Sequence, residues 1–209
     1  MRTLILLLFL AFPAHADMAV TDGDTIRIGD DRYRINGIDA PERGQTCGGG
    51  TDEWRCGEAA TDRLKALVTG KALDCTVHEV DDFGRFVATC RADGVDVGQV
   101  MVREGLAWSF LKFTDIYETE EAAARVAGLG IWRVPSQPAW EYRSSKWEFA
   151  KQVAPDGCPI KGNISNRGRI YHTPWSQSYA RTKITAAKGE RWFCDEAEAV
   201  AAGWRAPLN

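Results

Sequence analysis

Ala19-Val20-Thr21-Asp22-Gly23-Asp24-Thr25-Ile26-Arg27-Ile28-Gly29-Asp30-Asp31-Arg32-Tyr33-Arg34-Ile35-Asn36-Gly37-Ile38 alternates apolar and polar side chains around the turn signal Gly29-Asp30-Asp31. Alternation with such a break reads as two strands of a β-hairpin. A second hairpin follows from Leu73 to Val80 and Phe86 to Arg91, around Asp81-Asp82-Phe83-Gly84. A turn centred between 82 and 83 sets Cys75 opposite Cys90, where cross-strand partners approach closely enough for a disulfide.

Three helices interleave with these strands. Glu58 to Val68 places Ala60, Leu64, Leu67 and Val68 on one face and stops at Gly70. Val97 to Glu104 is short and ends at Gly105, and Asp115 to Ala127 halts at Gly128-Leu129-Gly130. Trp132 reads as a packing anchor for the returning chain. Pro135, Pro138 and the aromatic-basic stretch from Trp140 to Phe149 predict a linker over 135–157, closed by Pro155-Asp156-Gly157. The remaining 158–209 form a small module, turn-rich and Trp-rich, with a helix from Asp195 to Ala202.

Residues 1–16 stand apart from the 17–134 domain. Arg2, the apolar run Leu4 to Phe12 and Ala14-His15-Ala16 predict a cleavable signal peptide. The run falls well short of the ~20 residues of a spanning helix, so the mature chain is expected to be soluble, without stable membrane insertion, and secreted or periplasmic. Six cysteines in an exported chain favour three disulfides. Sequence proximity pairs Cys47 with Cys56, Cys75 with Cys90, and Cys158 with Cys194. Charge is uneven: residues 17–150 carry 16 Lys and Arg against 24 Asp and Glu, whereas residues 151–209 carry 9 against 5. The acidic body repels a polyanion at long range; the imbalance suits either plain solubility or a basic tail that assists nucleic-acid capture.

The chemistry gathers in Asp22-Gly23-Asp24-Thr25, in Arg34-Ile35-Asn36-Gly37-Ile38-Asp39-Ala40-Pro41-Glu42, and in Asp82-Phe83-Gly84-Arg85. A first hairpin centred between 30 and 31 makes Asp24 and Asp39 diagonal neighbours, about 7–8 Å apart. Two such carboxylates suit a hard cation, and calcium fits an all-oxygen set lacking His and Cys. Glu42, after a proline that fixes the backbone, is the candidate to deprotonate water. Arg34 and Arg85 are the candidate phosphate clamp, since a planar guanidinium fork matches phosphate oxygens better than an ammonium does.

These segments, with Val102-Arg103-Glu104-Gly105-Leu106-Ala107, resemble the staphylococcal-nuclease (thermonuclease) family across about residues 19–133. The resemblance implies an α+β fold, a five-stranded oligonucleotide-binding-type barrel with three helices. It implies calcium-dependent hydrolysis of DNA and RNA to 3′-phosphate ends, and single-stranded DNA and/or RNA is the expected substrate. Asp24, Asp39 and the Ala40 carbonyl take the metal role, Arg34 and Arg85 the clamp, and Glu42 the activation of water. Asp82 and Phe83 depart from the family's Lys and Tyr, and an insertion from Gly44 to Cys56 adjoins the site. A monomer without a protein partner is expected.

In the tail, Cys158, His172 and Cys194 allow either a disulfide beside a structural histidine or three metal ligands. Arg167, Arg169, Lys183, Lys188 and Arg191, interleaved with Trp175, Tyr179 and Trp192, suit either single-strand binding or a solvated basic surface. Two other functions stay open: a non-catalytic nucleic-acid-binding barrel, and an envelope adhesion module acting through the tail.

Overall fold

A computed structural model describes residues 18–111 and 114–207, so the expected signal peptide at 1–16 lies outside the described residues. The N-terminal stretch forms three strands where the sequence suggested two. They are β1 (Met18–Asp22), β2 (Thr25–Ile28) and β3 (Asp31–Ile35), followed by the two-residue β4 (Ile38–Asp39). The extra reversal is Asp22-Gly23-Asp24. Asp22 pairs with Thr25, and the Asp24 N–H donates to Asp22 Oδ1 at 3.2 Å, the local bond by which aspartate closes a turn. The next turn is tighter than expected. Gly29 takes a positive φ of 61°, Ile28 pairs with Asp31, and Thr25 therefore faces Arg34. Asp24 and Asp39 are thus not diagonal partners of one hairpin.

β5 (Leu73–Val80) and β6 (Phe86–Ala92) form the second hairpin with Cys75 opposite Cys90, as expected. β7 (Val95–Asp96) pairs with β6, and β8 (Trp108–Ser109) pairs with β4. The main sheet runs β1-β2-β3-β6-β5, with β3 parallel to β6 and Arg34 beside Val87. The class is mixed α+β. Among the described residues the strand pairings make an open path, and they do not draw the closed five-stranded barrel. In the tail, β9 (Ile160–Ser165) lies between β10 (Gly168–His172) and β11 (Arg191–Phe193).

Five α-helices occur among the described residues, rather than three plus one in the tail: α1 (Cys56–Val68), α2 (Val97–Arg103), α3 (Glu118–Val126), α4 (Ala139–Val153) and α5 (Glu196–Ala201). The addition is α4, which fills most of the segment expected to be a linker. Pro138 stands at its N-cap, where a missing N–H costs nothing, so the proline that suggested a break starts the helix instead.

α1 buries Ala60, Leu64 and Val68 against Ile26 and Ile35 of the main sheet, Ile38 of β4 and Met101 of α2. Full burial of Leu64 alone contributes roughly 1.5–3 kcal/mol. A second cluster gathers Cys47, Cys56, Trp108, Ile131 and Ala139, with Trp132 packed against it as expected. A third, Ile160, Tyr171, Phe193, Ala199 and Trp204, is the tail's own core, and Trp147 of α4 packs on it. All three disulfides pair as sequence proximity suggested. No helix among the described residues is long and apolar enough to cross a membrane.

Candidate active site

Because Thr25 faces Arg34, the guanidinium of Arg34 meets the turn that carries Asp24. Arg34 Nη1 donates to Asp24 Oδ1 and Nη2 to Asp39 Oδ1, each at 2.9 Å. One side chain thus ties two acids that lie far apart along the chain. Thr25 Oγ1 donates to Asp24 Oδ1 at 2.9 Å, and the Ala40 N–H donates to Asp24 Oδ2 at 3.1 Å. Both aspartates are buried, 3% and 0% exposed. Gly23 permits this contact: a Cβ there would lie 2.6 Å from that of Ala40.

Glu42 sits on the loop after β4. Buried Gln45 holds that loop: its Oε1 accepts from the Glu42 N–H at 3.2 Å, and its Nε2 donates to the Gln137 carbonyl at 2.7 Å. α1 presses on the same loop through Gly57, where a Cβ would stand only 1.7 Å from the Glu42 carbonyl oxygen. From the other side comes Arg143 of α4. Its Nη1 donates to Asp39 Oδ1 at 3.0 Å and to Glu42 Oε1 at 2.9 Å, and its Nη2 to Asp39 Oδ2 at 2.8 Å.

Four carboxylates (Asp22, Asp24, Asp39 and Glu42) therefore face two guanidiniums. The imbalance shows in their acidities. Burial raises Asp22 well above the usual aspartate range, and the charges of Asp24 and Glu42 raise it further. Burial also lifts Glu42 to about 7, against the pull of Arg143. Asp24 goes the other way: burial opposes its charge, but Arg34 and the Ala40 N–H outweigh that and lower its pKa. Arg34 and Arg143 are both held more firmly protonated by their acidic partners, despite burial.

Arg85 lines the same cleft, of about 870 Å³, as Arg34 and Glu42. Its guanidinium is engaged locally. Nε and Nη2 each reach Asp81 Oδ2 at 2.7 Å, and the group lies 5.1 Å from the Phe83 ring centre. The pairing leaves Arg85 near enough for its charge to help lower the Asp24 pKa. Arg34, Asp24, Asp39, Ala40 and Glu42 are thus brought into direct contact or one bond apart, with Arg85 at the cleft wall.

A cation is a partial fit. The donors are all oxygen, and their formal charge exceeds that of the two arginines. Yet among the described residues no group of three or more His, Cys, Asp and Glu side chains is arranged to hold a metal. Arg34 and Arg143 occupy three of the four oxygens of Asp39 and Glu42. Arg34 also bonds Asp24 Oδ1, so in this arrangement the arginines, not a cation, satisfy the aspartates. In the tail the metal alternative closes, because Cys158 and Cys194 are joined and His172 Nε2 bonds Asn163 Oδ1 at 3.0 Å.

Arg143 and Gln45 are the site residues the sequence reading missed. Arg143 had a usable signal: Trp140, Arg143, Ser144 and Trp147 stand at i, i+3, i+4 and i+7, one face of a helix. Gln45 had none.

The description "Staphylococcal nuclease homologue" belongs to the family model that matches residues 32–134, and a second family model, ArfC, matches residues 144–206. The succinoglycan biosynthesis protein ExoI of Rhizobium meliloti (strain 1021) is 37% identical over 138 residues, covering 62% of this chain and 70% of its own. An uncharacterized endonuclease of Escherichia coli O157:H7 is 36% identical over 135 residues, 61% of this chain and 82% of its own. The micrococcal nuclease of Shigella flexneri is 32% identical over 160 residues, 65% and 86%. By these matches the chain belongs to the staphylococcal-nuclease-like family.

Proposed function

We propose that this chain is an exported, calcium-dependent endonuclease, monomeric, that hydrolyses single-stranded DNA or RNA and leaves 3′-phosphate ends. The observation that carries the reading is Arg34 joining Asp24 to Asp39 beside a Glu42 whose pKa is about 7. The oligonucleotide-binding fold that the family implies agrees with a cleft that takes nucleic acid.

Arg34 uses two of its five N–H donors on the aspartates, and the others are available to phosphate oxygens. Arg85, released from Asp81, adds a second guanidinium against the charge that grows on those oxygens. Glu42 takes a proton from the attacking water, and a pKa near 7 suits a general base at neutral pH. The water oxygen bonds to phosphorus, the bond to the 5′ oxygen breaks, and that oxygen leaves with a proton from solvent. Asp24, Asp39 and the Ala40 carbonyl would hold the cation, which supplies charge neutralisation at the phosphate. The disulfides support export, since such bonds persist in oxidising compartments.

The test compares wild type with Glu42→Gln and Arg34→Ala on single-stranded DNA and RNA, with calcium and with chelator. Calcium-dependent cleavage that falls at least a hundredfold in both variants is the expected result. Full activity in either variant, or undiminished cleavage in chelator, overturns the reading. Tight binding without any cleavage supports the non-catalytic alternative.

A further inference from the structure

The cleft is walled on its far side by α4 and the tail module, neither of which falls within residues 32–134, the span of the nuclease family model. α4 presents Trp140, Arg143, Ser144 and Trp147 to it. Trp147 lies four positions after Arg143, so they stand about 6 Å apart along the helix axis, about the reach of one sugar–phosphate unit. Across from Trp147 is Trp175 of the tail, its ring centre 6.0 Å away at 39°. Next to it, the Ser176 hydroxyl is buried and without a hydrogen-bond partner among the described residues, and Ser176 also lines the cleft. A pair of indoles beside an unsatisfied hydroxyl wants a flat apolar ligand with a polar edge.

We propose that Trp147, Trp175 and Ser176 form a subsite for one unpaired nucleobase, a single nucleotide away from the phosphate that Arg34 engages. The indoles stack on the base and the Ser176 hydroxyl meets its edge. Every base offers a stacking face, so the subsite selects single strands over duplex with little regard to sequence. Of the tail residues the sequence singled out, Trp175 alone lines the cleft. Tyr179 and Trp192 instead pack against the Lys161 ammonium, while Arg169 and Arg191 cover Trp204. The inference rests on the nuclease reading for its choice of ligand.

The experiment measures binding and cleavage separately. Binding of a fluorescein-labelled dodecanucleotide is read in chelator by anisotropy, for wild type, Trp175→Ala, Trp175→Phe and Ser176→Ala. Each is also tested with dodecamers carrying one abasic position at successive sites. Stacking of one base accounts for about tenfold in affinity or more. Trp175→Ala should lose that factor, Trp175→Phe should keep most of it, and Ser176→Ala should lose less. At one position the abasic substitution should cost wild type the same factor and cost Trp175→Ala nothing more. Cleavage of a single-nucleotide chromogenic phosphodiester, too short to reach the tail, should be equal in wild type and Trp175→Ala. Unchanged dodecamer affinity in Trp175→Ala, or additive losses at every abasic position, overturns the subsite. If wild type binds the dodecamer with this pattern yet cleaves nothing, the nuclease reading fails and the subsite stands.

Discussion

Arg143 bonds Asp39, one of the proposed cation ligands, so under that proposal the arginine and the cation would compete. Removing the arginine leaves Asp39 and Glu42 buried without their shared counter-charge, which is more costly than the pair itself is favourable. Its side chain is 22% exposed, so the cost of Arg143→Ala in chelator is discounted to about 1–3 kcal/mol. Calcium should then raise the melting temperature of the variant by more than it raises that of wild type. Equal shifts would show that Arg143 does not occupy the cation's place. Glu42 supports a second prediction. Its carboxyl stands at about 7 in the folded chain against an ordinary 4.5. A raised pKa means the fold favours the protonated form, so this stabilisation is present below about 4.5 and lost as pH rises through about 7. His172 titrates with the opposite sign, because burial lowers its pKa, while burial raises Asp22 and Glu196 as it raises Glu42, so a single pH profile of wild type mixes them all. The difference between proteins cancels His172 and leaves Glu42 together with its effect on Asp22, which its charge helps to raise. Between pH 5 and pH 8, in chelator, Glu42→Gln should gain at most about 3 kcal/mol over wild type by urea unfolding. A difference that does not change with pH would remove Glu42 as the raised group.

At the scale of elements, the site depends on close backbone approach more than on any one strand. α1 reaches the Glu42 loop only because Gly57 has no side chain. Gly57→Ala should push helix and loop apart, costing about 1–3 kcal/mol and lowering cleavage more than oligonucleotide binding. Equal stability and activity would refute the contact. The parts of the fold that were legible share this local character. β5 and β6 could be read within one residue at their ends, and the Cys75–Cys90 pairing followed because the two cysteines mirror each other about one turn, although a bulge between Val77 and Glu79 shifts the register nearer that turn. The ends of α1 to α3 were readable within a few residues from glycine stops. Asp22-Gly23-Asp24 misled in an instructive way: its acids suggested ligands, and the same short side chains also close a turn that makes three strands from two. α4 was hidden by prolines that begin a helix as readily as they end one. Arg85 lines the cleft, but its bond to Asp81 follows from a turn geometry that no spacing rule supplies. The partnership of Arg143 with Asp39 and Glu42 spans 104 and 101 residues. No periodicity reports a contact of that range.

On the scale of the whole molecule, an acidic body and a basic tail meet at one cleft, and the tail depends on few contacts. Its core holds five buried residues around Phe193, small enough that a covalent tie matters. The Cys158–Cys194 bond spans 36 positions, and closing a loop of that length restricts the unfolded chain by about 4 kcal/mol. The double variant Cys158→Ser/Cys194→Ser should therefore loosen the tail before the nuclease domain, whose Cys47–Cys56 and Cys75–Cys90 bonds are intact. Proteolysis should then cut first within 158–207. Cleavage of the short chromogenic diester should persist, since Arg34, Glu42 and Asp39 lie outside the tail. Cleavage of the dodecamer should fall by about tenfold or more, the contribution of the stacked base. If both substrates are lost together, α4 and Arg143 depend on the tail, and the two modules are one energetic unit. If neither changes, the tail takes no part in holding the strand.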